Sequence, residues 1–198
     1  MNDPIWYRPR HYKHFDRPVA EDFLLRVTKP DFVARHSFSP LIHYMQGVKR
    51  YKPQEHKTLK KPRPIMYASH RDACILSYYA HHVNILLDDF YAQQGLQEAI
   101  VAYRTLGKAN YHFSAEAYKY ALQHAPCMIL AFDVSGFFDN LDHKLLKYRL
   151  KNVLGVTSLS EDWLRVFRSV TAYHYVNRED LRVHPLFKEA MARPGTYL

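Results

Sequence analysis

The sequence predicts an α+β fold, and three observations carry that expectation. Between residues 70 and 94 apolar side chains recur at spacings of three and four, the period of one helix face. Residues 127–132, CMILAF, form an almost continuous apolar run between Pro126 and Asp133, and its length and flanks suit a buried central strand. Around these segments Ser, Asp and Gly stand where helices start and stop. A chain of 198 residues suits one domain, or a domain and part of a second.

Taken in order, residues 52–64, KPQEHKTLKKPRP, read as a boundary or exposed loop, and PIMYA at 64–68 as a short strand. Ser69-His70-Arg71-Asp72 reads as a helix start, with Ser69 as N-cap and Asp72 near the positive end of the helix dipole. That helix places Ile75, Leu76, Tyr79, Val83, Leu86, Leu87 and Phe90 on one stripe and ends near Gly95. Residues 99–113, interrupted by Gly107, read as a hairpin or loop. Ser114 then caps a second helix over about 115–124, stopped before Pro126. After the apolar run, Asp142 caps a third helix carrying Leu145, Leu146, Leu150 and Val153, with Gly155 at its end. Ser160, followed by Glu161 and Asp162, starts a fourth with Trp163, Leu164, Phe167 and Val170. The last twenty or so residues, polar and containing Pro185, Pro194 and Gly195, close no structural unit.

Composition excludes several classes. A hydrophobic fraction of 47%, with 16 Tyr and 11 Phe, is too high for a disordered chain. Two cysteines, Cys74 and Cys127, both in apolar runs, make no disulfide framework and point to a reducing cytoplasm. No stretch approaches the roughly 20 apolar residues that cross a bilayer, and MNDPIWYRPRHYKHFDR lacks a signal-peptide core. A cytoplasmic protein with no membrane partner is expected.

The formal charge of +9 is unevenly placed. Residues 1–72 hold 15 Lys+Arg against 7 Asp+Glu, whereas 73–198 hold 13 against 12. In the basic part Trp6, Tyr7, Tyr12, Phe15, Tyr44 and Tyr51 alternate with Arg8, Arg10, Lys13, Arg17, Lys49, Arg50 and Lys52. Cations that neutralise phosphate and rings that stack on bases make a nucleic-acid surface. The same pattern also fits a solvated basic face with its aromatics turned into a core. Six histidines in this segment have no ligand-like spacing and no neighbouring Cys, so zinc is not expected.

Chemistry concentrates in residues 127–143, CMILAFDVSGFFDNLDH. An apolar strand ending in Asp133 puts a carboxylate at a sheet rim, where Mg²⁺ can be bound together with substrate phosphates. Small residues after it let backbone amides approach a phosphate, and a ring five positions on can pack against a sugar. The alternative is a strand-end Asp capping a turn, with Phe137 and Phe138 in the core. Asp142 is better explained as a helix cap, Asp139 as a turn residue and His143 as structural.

FDVSGFFDNLDH resembles the first catalytic motif of reverse transcriptases in the bacterial group that includes group II intron maturases, retrons and defence-associated enzymes. KKPRPIMYASHRD with its long helix is similar to the family's first fingers motif, and AYRTLGKAN with a Ser-capped helix to the second. These three segments stand in family order over residues 58–175. The resemblance implies right-hand polymerase fingers and an incomplete palm: a basic extension over 1–58, fingers over 59–126, and the first palm strand with following helices over 127–198. It implies Asp133 as the catalytic, metal-binding Asp, Val134 as a carbonyl donor to metal, and Phe138 as the ring that excludes a ribose 2′-hydroxyl. Arg63, with Lys61 or its neighbour Lys60 assisting, matches the contact to the incoming triphosphate, and Ser135, Gly136 and Phe137 face it through their backbone. Arg104, Lys108 and Arg71 match basic positions near template or nucleotide. Arg8, Arg10, Lys13, Lys49 and Arg50 are assigned to RNA on charge and interleaved aromatics alone.

The implied reaction is two-metal nucleotidyl transfer with two Mg²⁺ ions, using dNTPs, an RNA template that in this group includes dedicated non-coding RNAs, and a DNA product. An antiviral defence setting is favoured over a mobile intron by the wording of the motifs. The family's later Tyr-x-Asp-Asp hairpin and its Pro-Gln-Gly turn are not in these residues, and Asp88-Asp89, inside the first long helix, is no substitute. The chain is therefore expected to be inactive alone and to need a further segment or a second chain that completes the palm. Two other readings stand beside this one: a non-catalytic module of polymerase-like fold that holds RNA or a partner, and a two-metal nuclease with an RNase-H-like sheet.

Overall fold

The computed structural model describes residues 3–194, and the side chains of Val48, Arg50, Lys52, Glu55 and Lys61 lie outside that description. The chain packs as two units, one running up to Val83 and resuming at Val156, the other Asn84–Gly155. The packing boundaries thus fall at 83/84 and 155/156, and the basic residues before 58 share a unit with the segment that follows them.

In the first unit, α1 (Glu21–Val27) and α2 (Pro30–Ala34) present Phe23, Leu24, Val27 and Val33 to a core shared with Cys74, Ile75 and Tyr79 of α3 (His70–Gln93) and Val166 of α6 (Glu161–Thr171). Tyr79 donates its hydroxyl to Asp162 at 2.5 Å, and Ser160 donates to the other carboxylate oxygen at 2.5 Å. Burial disfavours the ionised Asp162, but those hydrogen bonds and the Trp163 amide outweigh it and hold the carboxyl below its usual range.

The start of α3 is fastened from both sides. Ser69 Oγ accepts from the Asp72 N–H at 3.1 Å, as the cap reading requires, while Asp16 accepts from the N–H groups of His70 and Arg71, each at 3.1 Å. Asp72 turns outward from the helix start to accept the Ser39 N–H at 2.9 Å and to contact His36 Nε2 at 2.7 Å.

A second core joins the roots of β1 (Leu41–Lys52) and β2 (Lys57–Tyr67) to the C-terminal elements. Ile42, Tyr44 and Tyr67 are buried there with Phe187 of α8 (Pro185–Ala192), and Leu181 of α7 (Arg178–Leu181) packs alongside. The short β3 (Tyr175–Asn177) runs parallel to β1, opposite Leu41–His43, giving the sheet order β2-β1-β3. Residues 181–191, within the stretch expected to close nothing, therefore close this core: Phe187 and Ala190 lie on one face of α8, three residues apart.

The expected loop over 52–64 is instead the distal end of an antiparallel hairpin. Eleven registered pairs run from Ile42↔Tyr67 to Lys52↔Lys57, with a 3₁₀ turn at Pro53–Glu55. Pro62 and Pro64 do not break it, because β2 is an edge strand and two prolines two residues apart can turn their missing N–H groups to its open side. The aromatic side chains of the basic segment have gone inward: Tyr7 and Tyr44 are buried, and Trp6, Tyr12 and Phe15 pack against the two cores. The core reading of that pattern holds for these five.

In the second unit α4 (Asn110–Gln123) begins five residues before the expected start. Ser114 is interior and donates to the Asn110 carbonyl at 3.1 Å, while His112 Nδ1 accepts the Ala109 N–H at 2.9 Å and so closes the first turn. Residues 99–108 are turns without strand pairing. Asp142 caps α5 (His143–Leu154) through the N–H groups of Lys144 at 2.7 Å and Leu145 at 3.1 Å, and Gly155 ends it at φ +67°. The largest correction concerns residues 127–132. They form no strand, and Met128, Ile129, Leu130 and Phe132 are 67–90% exposed. A strand needs a neighbour to take its backbone hydrogen bonds, and among the described residues no strand pairs with it. Indeed, no residue between 84 and 155 is buried.

Acid should loosen the first unit. Burial holds the His70 imidazole below the ordinary histidine value of 6.5, the Asp16 charge offsetting only part of the effect. His82 is lowered too, by burial and by His81. Below about pH 6.5 the unfolded chain takes up these protons before the folded one, so stability falls with falling pH through that window. Asp16, lowered because hydrogen bonds from His14, Arg71 and His70 outweigh its burial, adds a further loss as pH drops below 3.8. The thermal midpoint should be lower at pH 5.5 than at pH 7.5, with a smaller difference in a His70→Asn, His82→Gln variant. Equal midpoints at the two pH values would contradict this assignment.

Candidate functional site

The segment after the apolar run folds into a tight local structure. Asp133 ends the run with an exposed carboxylate that makes no hydrogen bond or ion pair among the described residues. The chain then turns through Ser135, Gly136 and Phe137 into a 3₁₀ helix at Phe138–Asn140. Gly136 sits at φ +61°, and a Cβ there would come within 2.9 Å of Asn140 Nδ2. That amide donates to the Gly136 carbonyl at 2.8 Å and the Asn140 N–H to the same oxygen at 3.1 Å, so glycine is needed both for the backbone angle and for the closure. Phe137 and Phe138 meet edge to face at 5.2 Å and are 52% and 69% exposed, so neither is a core residue. Asp139 lies in the 3₁₀ turn, Asp142 is engaged as a helix cap and His143 is the first residue of α5.

This geometry offers a metal one carboxylate, from Asp133, and the neighbouring Val134 carbonyl. Among the described residues no group of three or more His, Cys, Asp or Glu converges to hold an ion. Mg²⁺ takes an octahedral shell of oxygens, which one carboxylate begins but does not complete, and two ions ask for more. These residues alone do not fit a two-ion centre.

Arg63, in the first unit, stands on β2 opposite Gln46 and is exposed. Lys61 stands opposite Val48 and Arg50 opposite Leu59 by backbone register, though their side chains are among those not described. Lys49 and Lys60 face each other across the ladder, both exposed. Arg8 and Arg10 are exposed as well. Other candidates are engaged within the chain. Lys13 Nζ donates to the Met191 carbonyl at 2.6 Å, tying the N-terminal segment to α8. The Arg71 guanidinium lies 5.7 Å from the Phe23 ring centre. In the second unit Lys108 pairs with Glu116 at 2.6 Å. Arg104 is the most committed: it reaches Asp88 at 2.6 Å, donates to the Gln97 and Ile100 carbonyls at 2.6 and 2.9 Å, and covers Tyr91. Asp88 is thereby a structural partner. No motif signals such a contact, whose partners lie 4 to 16 residues away.

No family model matches the chain. No curated protein matches it either. The fold class is α+β, and no helix among the described residues is long and apolar enough to cross a membrane.

Proposed function

We propose that the chain is the fingers and first palm segment of an RNA-directed DNA polymerase. The observation that carries this reading is the arrangement at 133–142: a carboxylate with no partner among the described residues, a glycine turn, two exposed phenylalanine rings and a capped helix in immediate succession. A capping role would have engaged Asp133, which holds no hydrogen bond or ion pair among the described residues. In this reading Asp133 binds metal, the 135–137 backbone faces the triphosphate, Phe138 limits the sugar and Arg63 grips phosphate through its planar, bidentate donors. Mg²⁺ would stabilise charge on the transferring phosphoryl group, and its remaining ligands come from a further segment or a second chain. RNA template, dNTPs and a DNA product are the partners, in an antiviral defence setting within the cytoplasm.

A second reading, a non-catalytic partner-binding module, is favoured by one feature of the second unit. Met128 and Ile129 are exposed and line, with Tyr118, Ala121 and His124 of the preceding segment, an apolar cavity of about 610 Å³. Primer extension by the protein expressed from its whole reading frame separates the two. Mg²⁺-dependent DNA synthesis on an RNA template is expected; its absence with the folded protein in hand would favour the module.

A further inference from the structure

The hairpin β1–β2 outgrows its core. Its root is buried at Ile42, Tyr44 and Tyr67, yet every described residue from 45 to 64 is exposed, on both faces of the ribbon. A two-stranded ribbon with no core behind it is marginally stable in water, and this one spans about 27 Å at 3.4 Å per residue from residue 45 to the tip. Its sequence makes matters worse. Residues 49–63 hold seven Lys/Arg and one Glu, a balance of +6. Lys49 lies directly opposite Lys60, a like-charge pair that disfavours the ladder, and none of Lys49, Lys57, Lys60 and Arg63 has an ion-pair partner among the described residues. A polyanion beside the arm would offset this repulsion.

The distribution of charge narrows the polyanion. Side chains alternate along a strand, so Lys60 and its partner Lys49 project from one face, and Lys57 and Arg63 from the other. Cations on both faces suit a ribbon flanked by phosphates on two sides, as inside a duplex groove. Single-stranded binders instead use one charged groove lined with rings. Here the rings before the ribbon are packed inward, and Tyr51 is the one aromatic residue exposed on its distal part. The major groove of B-form DNA is about 12 Å wide and admits a two-stranded β-ribbon, whereas that of A-form RNA is too narrow.

We propose that the β1–β2 hairpin is a double-stranded DNA-binding arm that enters the major groove and grips the phosphates on either side. Contact is to the backbone and independent of sequence. It does not involve Asp133, and the variant that tests it leaves in place Arg63, the residue the arm shares with the polymerase reading.

Fluorescence anisotropy of the 198-residue chain with labelled probes of about 20 base pairs or nucleotides tests it. Duplex DNA should bind at least about 10-fold more tightly than single-stranded DNA or duplex RNA of the same sequence. A Lys49→Ala, Lys57→Ala, Lys60→Ala variant should lose on the order of 100-fold in duplex affinity near 0.1 M salt, and its log–log salt slope should shrink by about 2.7. All three residues are exposed, so the fold is not at stake, which circular dichroism checks. A charge-matched control, Lys29→Ala, Arg168→Ala, Lys188→Ala, removes three exposed cations elsewhere and should lose much less. Equal or tighter binding of either other probe, or equal losses in the two variants, would overturn the proposal.

Discussion

Asp133→Ala in the protein expressed from its whole reading frame should reduce RNA-templated DNA synthesis by on the order of 10³-fold or more while leaving the fold intact. The two halves of that expectation have separate physical grounds. Loss of synthesis follows from the proposed role: the carboxylate supplies negative oxygen where a cation and a triphosphate meet, and alanine supplies none. Preservation of the fold follows from the structure. Asp133 is exposed and holds no hydrogen bond or ion pair among the described residues, so its removal should shift stability by within about 0.5 kcal/mol. Asp162→Ala is the instructive contrast, because it strips a buried acceptor from Tyr79 and Ser160. Substantial synthesis by the Asp133 variant would contradict the role.

The second large effect concerns two isoleucines that the sequence treats alike. Ile75→Ala should destabilise the first unit by about 2–5 kcal/mol, since it is fully buried among Val27, Val33 and Tyr79 and truncation leaves a cavity. Ile129→Ala, in the apolar run at 127–132, should change stability by less than about 0.5 kcal/mol, because its side chain is 74% exposed. Denaturant unfolding of the 198-residue chain measures both. A loss at Ile129 comparable to that at Ile75 would mean that the run is packed after all.

That pair shows which features the sequence makes legible. Caps are local, so Ser69, Asp142 and Gly155 act within a few residues of where they stand and fall as expected. The stripe from Ile75 to Phe90 likewise yields one long helix ending before Gly95. Apolarity, by contrast, says that a segment seeks burial without saying against what. CMILAF has the composition of a central strand, and among the described residues it has no strand to pair with. β1 escapes for the opposite reason: beyond Tyr44 its ribbon has no buried face, so no alternation marks it. Asp16 caps α3 from 54 residues away in sequence, and Phe187 completes a core begun at Ile42; neither partnership leaves a local trace. At the candidate site the order of residues 133–138 is legible in full. The demand on Gly136 is sharper in three dimensions, where Asn140 closes over it.

The measurement that bears most directly on the polymerase reading is the ratio of deoxyribonucleotide to ribonucleotide incorporation by the full-frame protein and its Phe138→Ala variant. Phe138 is exposed, so its loss should leave the fold and the Asp133 carboxylate in place. If its ring limits the sugar, the variant should incorporate ribonucleotides at least about 10-fold more readily relative to deoxyribonucleotides. An unchanged ratio, with synthesis retained, would contradict the placement of this segment at the nucleotide.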